Sequence, residues 1–233
     1  MVFSSNLFLF GFLPVFLACL FIIPARFRNI FILLASLVFY AAGSGTLVWI
    51  LVFSIIWNYF FAHGIAQGKS RLMLAMGVAA NLSLLAYFKY ANFFTSEISA
   101  YLGELGITSD QTILSITLPI GISFYTFQAT SYLIDVYRKA VKPSASIVGF
   151  GMYLANFPQL IAGPIVRYSH IEKSIEHRPI TLAGFSDGVF RFCIGLGKKI
   201  LIADAMGEVA DLIFALPVNE LTTSLAWLGV AAY

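Results

Sequence analysis

Histidine, the residue most often used for proton transfer near neutrality, occurs three times in this chain. His63 closes an apolar stretch. His170 and His177 lie two helical turns apart within the polar run Tyr168–Arg178. No His/Cys/Asp set has metal-ligand spacing, and the chain has no Gly-rich phosphate loop, no G-x-S-x-G elbow and no H-E-x-x-H. All three histidines read as interfacial rather than catalytic, and no metal site is expected. Asp204, Glu208 and Asp211 recur at four and three residues and share a helical face. Such a stripe could hold a cation; the commoner arrangement is a solvated face paired with Lys198 and Lys199 one turn back. Cys19 and Cys193 both sit in apolar stretches and read as buried small hydrophobes, not as a disulfide or metal ligands. Asn81 and Gln128 are polar residues deep in apolar runs, where they serve either a function or helix–helix adhesion. Lys89 can snorkel to an interface. Asp135 lies three residues before Arg138, close enough for a local ion pair.

Such residues need elements to carry them, and composition limits what those elements are. Of 233 residues 60% are hydrophobic and 11% charged, and the mean hydropathy is +0.89. Soluble domains are about 45–50% apolar and about 25% charged. A soluble globular domain, a disordered chain and a disulfide scaffold are therefore excluded. The net charge of +3 is scattered, so no basic face for nucleic acid exists. The apolar runs are continuous rather than alternating, which points to an all-α, polytopic transmembrane protein forming a single membrane domain over 1–233.

A helix of about 20 apolar residues crosses the bilayer core. Spans are expected at 7–23, 29–42, 46–63, 72–94 and 118–137. The second is short and ends at Gly43-Ser44-Gly45; the first carries Pro14, which a membrane helix accepts with a kink. The first span is read as a membrane helix and not as a cleavable signal, because no basic residue precedes it and Pro24 and Arg26 follow it. Basic residues then set the orientation. Arg26 and Arg28 follow span one, Lys69 and Arg71 span three, and Arg138, Lys139 and Lys142 span five. If the spans alternate, all of these lie on one side. The opposite connection, 95–117, holds Glu97, Glu104 and Asp110 and no basic residue. The positive-inside rule puts the three basic loops in the cytoplasm and the N-terminus outside.

After Lys142 the pattern changes. Residues 147–165 are apolar enough to enter the membrane, yet Arg167, Lys173 and Arg178 follow. A full crossing would strand those charges outside, so a segment that enters and returns to the same face is expected. Asn156, Pro158, Gly163 and Pro164 break helices and free backbone groups, which survive at membrane depth only when buried in protein or lining a cavity. An ordinary kinked helix is the other reading. Residues 181–203 carry Asp187, Arg191, Lys198 and Lys199 and cross poorly or lie partly in the interface. Residues 225–233 open a further apolar span shorter than half a crossing, from which continuation of the natural protein beyond Tyr233 is expected.

Two motifs carry a family resemblance. LPIGISFYTFQATSYLIDVYR (Leu118–Arg138), followed by NFPQLIAGPIVRY (Asn156–Tyr168), resembles the membrane-bound O-acyltransferases, in particular their alginate O-acetyltransferase branch. The likeness implies a ring of helices around a thinned interior, with re-entrant helices from the cytoplasmic side. It implies acyl transfer from a cytoplasmic donor, acetyl in this branch and acetyl-CoA as the candidate donor, towards periplasmic polysaccharide-acetylation proteins, in a bacterial inner membrane. No bound cofactor is implied. The family's catalytic histidine lies on a later helix in a W-H-I-S-L-like context. That motif is absent here, so no catalytic role passes to His63, His170 or His177, and the histidine is expected beyond Tyr233. Asn156, Gln159, Gly163, Pro164 and Arg167 are the substrate-cavity candidates: Gln159 offers hydrogen bonds, Gly163 close approach of ligand or backbone, and Arg167 attraction for a phosphate-bearing donor or plain positive-inside charge. D-alanyl transfer to teichoic acid by the same fold, and a non-catalytic transporter or scaffold, are the alternatives. A transporter would want paired repeats with broken helices, and one broken element is seen.

Overall fold

The computed structural model describes residues 3–68, 70–104, 116–160, 163–164, 166–176 and 178–233. Every regular element among them is helical, as expected where lipid offers backbone groups no hydrogen bonds. Two helical stretches, Ala25–Ala66 and Arg71–Glu97, are long and apolar enough to cross a membrane; Leu7–Ile22 and Thr223–Ala232 are shorter apolar helices. The chain divides into two compact units, one of Phe10–Arg178 and one joining the N-terminal stretch to Pro179–Tyr233.

The first helix opens with a π-helical turn, Leu7–Phe12, and continues as α1, Leu13–Ile22. Pro14 follows the π-helical turn directly, inside the continuous helix, where its missing N–H interrupts the regular hydrogen-bond ladder. A short 3₁₀ turn, Ala25–Phe27, leads into α2, Arg28–Ser44. Gly45, at φ +57, turns the chain through a second 3₁₀ turn into α3, Val48–Ala66. The turn needs a glycine, because an L side chain rarely adopts that conformation.

Helix α4, Ser70–Glu104, is 35 residues long, about 52 Å at 1.5 Å per residue. That exceeds the roughly 30 Å hydrocarbon core, so the helix continues well past the expected end at 94. Asn92 fastens it to the segment before α5: its Nδ2 donates to the Ile116 carbonyl and its Oδ1 accepts from the Ile116 N–H, both at 2.7 Å.

Helix α5 runs Ile122–Tyr137, later than the expected start at 118. Leu118–Gly121 is not helical, because Pro119 cannot donate and Gly121 takes φ +73. The buried residues Ile122, Tyr125, Ala129, Tyr132, Leu133 and Val136 recur at three and four positions and give α5 an interior stripe. It packs on α3 and α4, close enough at Gly77 that a Cβ there would come within 2.7 Å of Leu133 Cδ1. Between α3 and α4, Asn58 and Asn81 exchange side-chain hydrogen bonds of 3.1 and 2.7 Å, and Asn58 Nδ2 also donates to the Ser54 carbonyl.

The broken element follows. Ser146 accepts from the Val148 N–H and starts α6, Ile147–Ala155, whose residues from Gly149 on are all buried. Asn156 breaks the helix; α7 is the single turn Phe157–Leu160, and α8 is Tyr168–Glu176. The Tyr132, Phe150, Tyr153 and Tyr168 rings lock α5, α6 and α8 together, with centroids 4.6–6.5 Å apart.

In the second unit, α9 (Leu182–Lys198), a π-helical turn (Lys199–Ala203) and α10 (Asp204–Phe214) form one continuous helix, and α11 (Thr223–Ala232) folds back on α10 through Gly229. Thr181 and Thr222 cap α9 and α11. Apolar side chains point outwards from this helix, among them Leu182, Phe190 and Leu201. Cys193 is exposed too, against the expectation of a buried thiol: no second helix layer packs over α9 among the described residues of the unit.

Candidate functional site

The break in the helix at Asn156 positions the site. The Asn156 carbonyl accepts from the N–H groups of Gln159 and Leu160, both at 2.9 Å, and so begins α7. Ser36 of α2 accepts from the Phe157 N–H at 3.3 Å. The Phe157 ring enters a box of Phe12, Phe16 and Phe39, with centroids 5.1–5.3 Å away. At the other end of α7, a Cβ on Gly121 would lie 2.6 Å from the Leu160 carbonyl oxygen. One helical turn is thus clamped between α2 and the start of α5.

Beside this clamp lies a set of buried polar atoms. Ser36, Tyr40 and Ser44 recur at four-residue steps on α2, and Ser36 and Tyr40 are fully buried. The Tyr40 hydroxyl lies beside those of Ser44 and Tyr125, within reach of both, but none of the three has a well-aligned partner among the described residues. Thr126 Oγ1, Gln128 Nε2 and Gln159 Nε2 are likewise buried without a partner there. Burying an unsatisfied polar group costs about 1–3 kcal/mol, so an interior holding several is built to meet water or a polar ligand.

The sequence-derived candidates fall on this element in different ways. Asn156 is the hinge, and Gln159 turns its amide into the interior. Gly163 packs back on Gln159, where a Cβ would come within 2.7 Å of the Gln159 Cα. Pro164 and Arg167 are exposed. Gln128 belongs to the polar interior, whereas Asn81 is taken up by Asn58.

The remaining polar candidates are structural or peripheral. His63 Nδ1 lies 2.9 Å from the Tyr59 carbonyl, His170 is exposed, and His177 lies outside the described residues. Asp204 pairs with Lys199 at 2.7 Å, which accounts for one end of the acidic stripe, and Lys199 also donates to Ser4 Oγ. No group of metal-ligating side chains forms among the described residues. Asp135 and Arg138 do not pair; the chain turns at Lys139 instead, and the Asp135 carbonyl accepts from the Ala140 N–H. At the base of α2 and after α8, Asn29 Nδ2 donates to the Ile175 carbonyl at 2.8 Å, and Arg178 Nη2 reaches Met152 Sδ at 3.5 Å. Burial, and then the neighbouring Arg28 guanidinium, lower the Arg178 pKa from its ordinary value.

A clamped helical turn beside buried hydroxyls and amides is a site that can hold and orient a neutral polar group. Relatives give that geometry a context. The chain is 42% identical over all its length to the protein named "Probable alginate O-acetylase AlgI" of Azotobacter vinelandii, covering 47% of that protein. It is 40% identical to the protein of that name from Pseudomonas aeruginosa, covering 45% of it. The chain resembles the bacterial O-acetylases from end to end. The peptidoglycan O-acetyltransferase of Helicobacter pylori is 34% identical, again over the whole chain and 50% of that protein. The chain therefore spans about half the length of the curated O-acetylases it matches. No family model matches, and no solved structure matches.

The motifs that carry the O-acetylase likeness are the ones the fold brings together. Leu118–Arg138 supplies Gly121 and Tyr125, and Asn156–Tyr168 supplies the clamped turn. Sequence reasoning missed Ser36, Tyr40 and Tyr125. The signal for Ser36 and Tyr40 was present in the four-residue spacing of Ser36, Tyr40 and Ser44, polar positions in a largely apolar helix.

Proposed function

We propose that the protein is a membrane O-acetyltransferase for an exported polysaccharide such as alginate, passing acetyl from a cytoplasmic donor, acetyl-CoA, towards periplasmic acetylation partners. The observation that carries this reading is the likeness of the whole of this chain to about half of proteins named alginate O-acetylase and peptidoglycan O-acetyltransferase. Those names differ in acceptor and share the acetyl group, which favours acetyl over D-alanyl transfer. The protein sits in the bacterial inner membrane with five spans, a re-entrant element at 147–165 and its N-terminus outside. Asn156, Gln159, Gly163 and Pro164 line the donor's path, and Arg167 stands at its cytoplasmic mouth. Tyr40, Tyr125 and Gln128 supply hydrogen bonds to the acyl carbonyl. General-base catalysis, typically worth 10²–10⁴-fold, comes from a histidine beyond Tyr233.

A chimera tests this. The 233 residues replace the matching part of the Azotobacter relative in a strain lacking that gene, and ester-linked acetyl on the exported polymer is quantified. Restored acetylation is expected, with at least a tenfold loss in the Gln159→Ala chimera. A chimera that accumulates in the membrane and leaves the polymer unacetylated overturns the reading, and D-alanyl esters in its place would favour the teichoic-acid alternative.

A further inference from the structure

The cavity where α3 and α5 end lies apart from the clamped turn. It has a volume of about 470 Å³ and is lined by the end of α3 and its turn, at Ile65, Ala66 and Gly68, and by the end of α5 and its loop, at Val136, Tyr137, Lys139 and residues 141–143. Its size falls within the range of small-molecule sites. The lining divides by chemistry: Ile65, Val136 and Val141 form an apolar wall, and Lys139 and Lys142 supply two ammonium groups. Neither lysine meets a carboxylate among the described residues.

Lys139 holds a second anomaly. At φ +59 it is the one non-glycine residue in the left-handed region among the described residues. It occupies the position just past α5 where glycine or asparagine usually ends a helix, its N–H donating to the Val136 carbonyl while the next N–H, of Ala140, donates to Asp135. A long side chain there costs stability that glycine would save. The negative end of the α5 dipole does not call for it, since Arg138 and Lys142 already supply cations. Strain kept at a cavity wall, on a residue whose charge the helix dipole does not need and whose part in orienting the loop Arg138 and Lys142 already fill, points to a task for that charge at the cavity.

We propose that this cavity binds the phosphate of an amphiphilic ligand, with Lys139 and Lys142 on the phosphate and the Ile65–Val136–Val141 wall on its apolar part. Two ammonium groups beside an apolar wall suit the headgroup of an anionic phospholipid or a soluble diphosphate equally, and basic pockets between membrane helices are recognised lipid sites.

The test uses the full chain in phosphatidylcholine nanodiscs and measures the acetylation rate of each lysine by a water-soluble succinimidyl ester, read by peptide mass spectrometry. Lys173 and Lys198 are the controls. Inorganic pyrophosphate is added in one arm, and phosphatidylglycerol replaces part of the phosphatidylcholine in the other. At least threefold slowing at Lys139 and Lys142 alone is expected. Slowing by pyrophosphate identifies a soluble phosphate ligand; slowing by phosphatidylglycerol only identifies a lipid. No slowing in either arm, or equal slowing at the controls, overturns the proposal. Lys139→Gly is the second probe. Its melting temperature should stay level or rise while the protection of Lys142 is lost; a lower melting temperature, or unchanged protection, shows a lysine kept for the fold and overturns the assignment.

Discussion

At the scale of single residues, the interior is organised by a few side-chain hydrogen bonds. The Phe157 N–H is buried and donates to Ser36 Oγ at 3.3 Å. Ser36→Ala removes this acceptor from a buried donor, a change worth about 1–3 kcal/mol. The melting temperature in detergent should fall accordingly, and an unchanged value would mean that the Phe12, Phe16 and Phe39 box alone seats α7. The Asn58–Asn81 pair makes a different prediction. Two amides that satisfy each other should couple in a double-mutant cycle of Asn58→Leu and Asn81→Leu. Interhelical hydrogen bonds in membranes average about 0.6 kcal/mol and reach about 1.7. Coupling in that range, measured from the unfolding free energies, is expected; additive losses would show that Ser54 is the more important partner of Asn58. Polarity at depth marked Asn81 and Gln128 in the sequence alike. Which of them is adhesion and which faces the site depends on the partner across the interface, and one chain's periodicity does not name that partner.

At the scale of elements, the start of α5 decides the geometry of the site. Gly121 combines φ +73 with a Leu160 carbonyl 2.6 Å from where a Cβ would stand. The backbone conformation alone makes Gly121→Ala cost about 1–3 kcal/mol, and the clash adds to it by pushing α7 off α5. The expected outcome is a lower melting temperature together with faster alkylation of a cysteine placed at Gln159; a stability loss without that exposure would leave the clamp intact. This boundary was hard to read. Leu118–Gly121 is as apolar as the helix it precedes, so hydropathy absorbed it into span five, although Pro119 and Gly121 are breakers in plain view. The break at Asn156 was legible because helix breakers and apolar residues contradict one another there, and only burial reconciles them. The length of α4 was not, because its continuation past 94 is polar enough to pass for a loop, while adding residues to a helix already formed costs far less than starting one.

At the scale of the whole molecule, alternation of the spans can be checked against contacts between chain segments. The ends of α3 and α5 line one cavity, so the turn after α3 and the loop with Lys139 and Lys142 share a face of the Phe10–Arg178 unit. The base of α2, with Arg26 and Arg28, is tied to the end of α8 by Asn29 and Ile175, which brings Arg178 to the same residues. The far part of α4 is tied to the start of α5 by Asn92 and Ile116. Basic residues gather in excess at the first two junctions, whereas the third has one, Lys89, offset by Glu97 just past Asn92. That asymmetry is what the positive-inside rule needs. It yields a topology prediction that does not depend on activity. In a background of Cys19→Ser and Cys193→Ser, Thr95→Cys should react with an impermeant maleimide on intact spheroplasts, whereas Arg26→Cys and Arg138→Cys should react only in inverted vesicles. The opposite pattern at all three sites would invert the protein and move the 147–165 element to the outer face, where a cytoplasmic acyl donor could not reach it. A split between Arg26 and Arg138 would break the alternation itself, and with it the inference that the element after Lys142 enters from the donor's side.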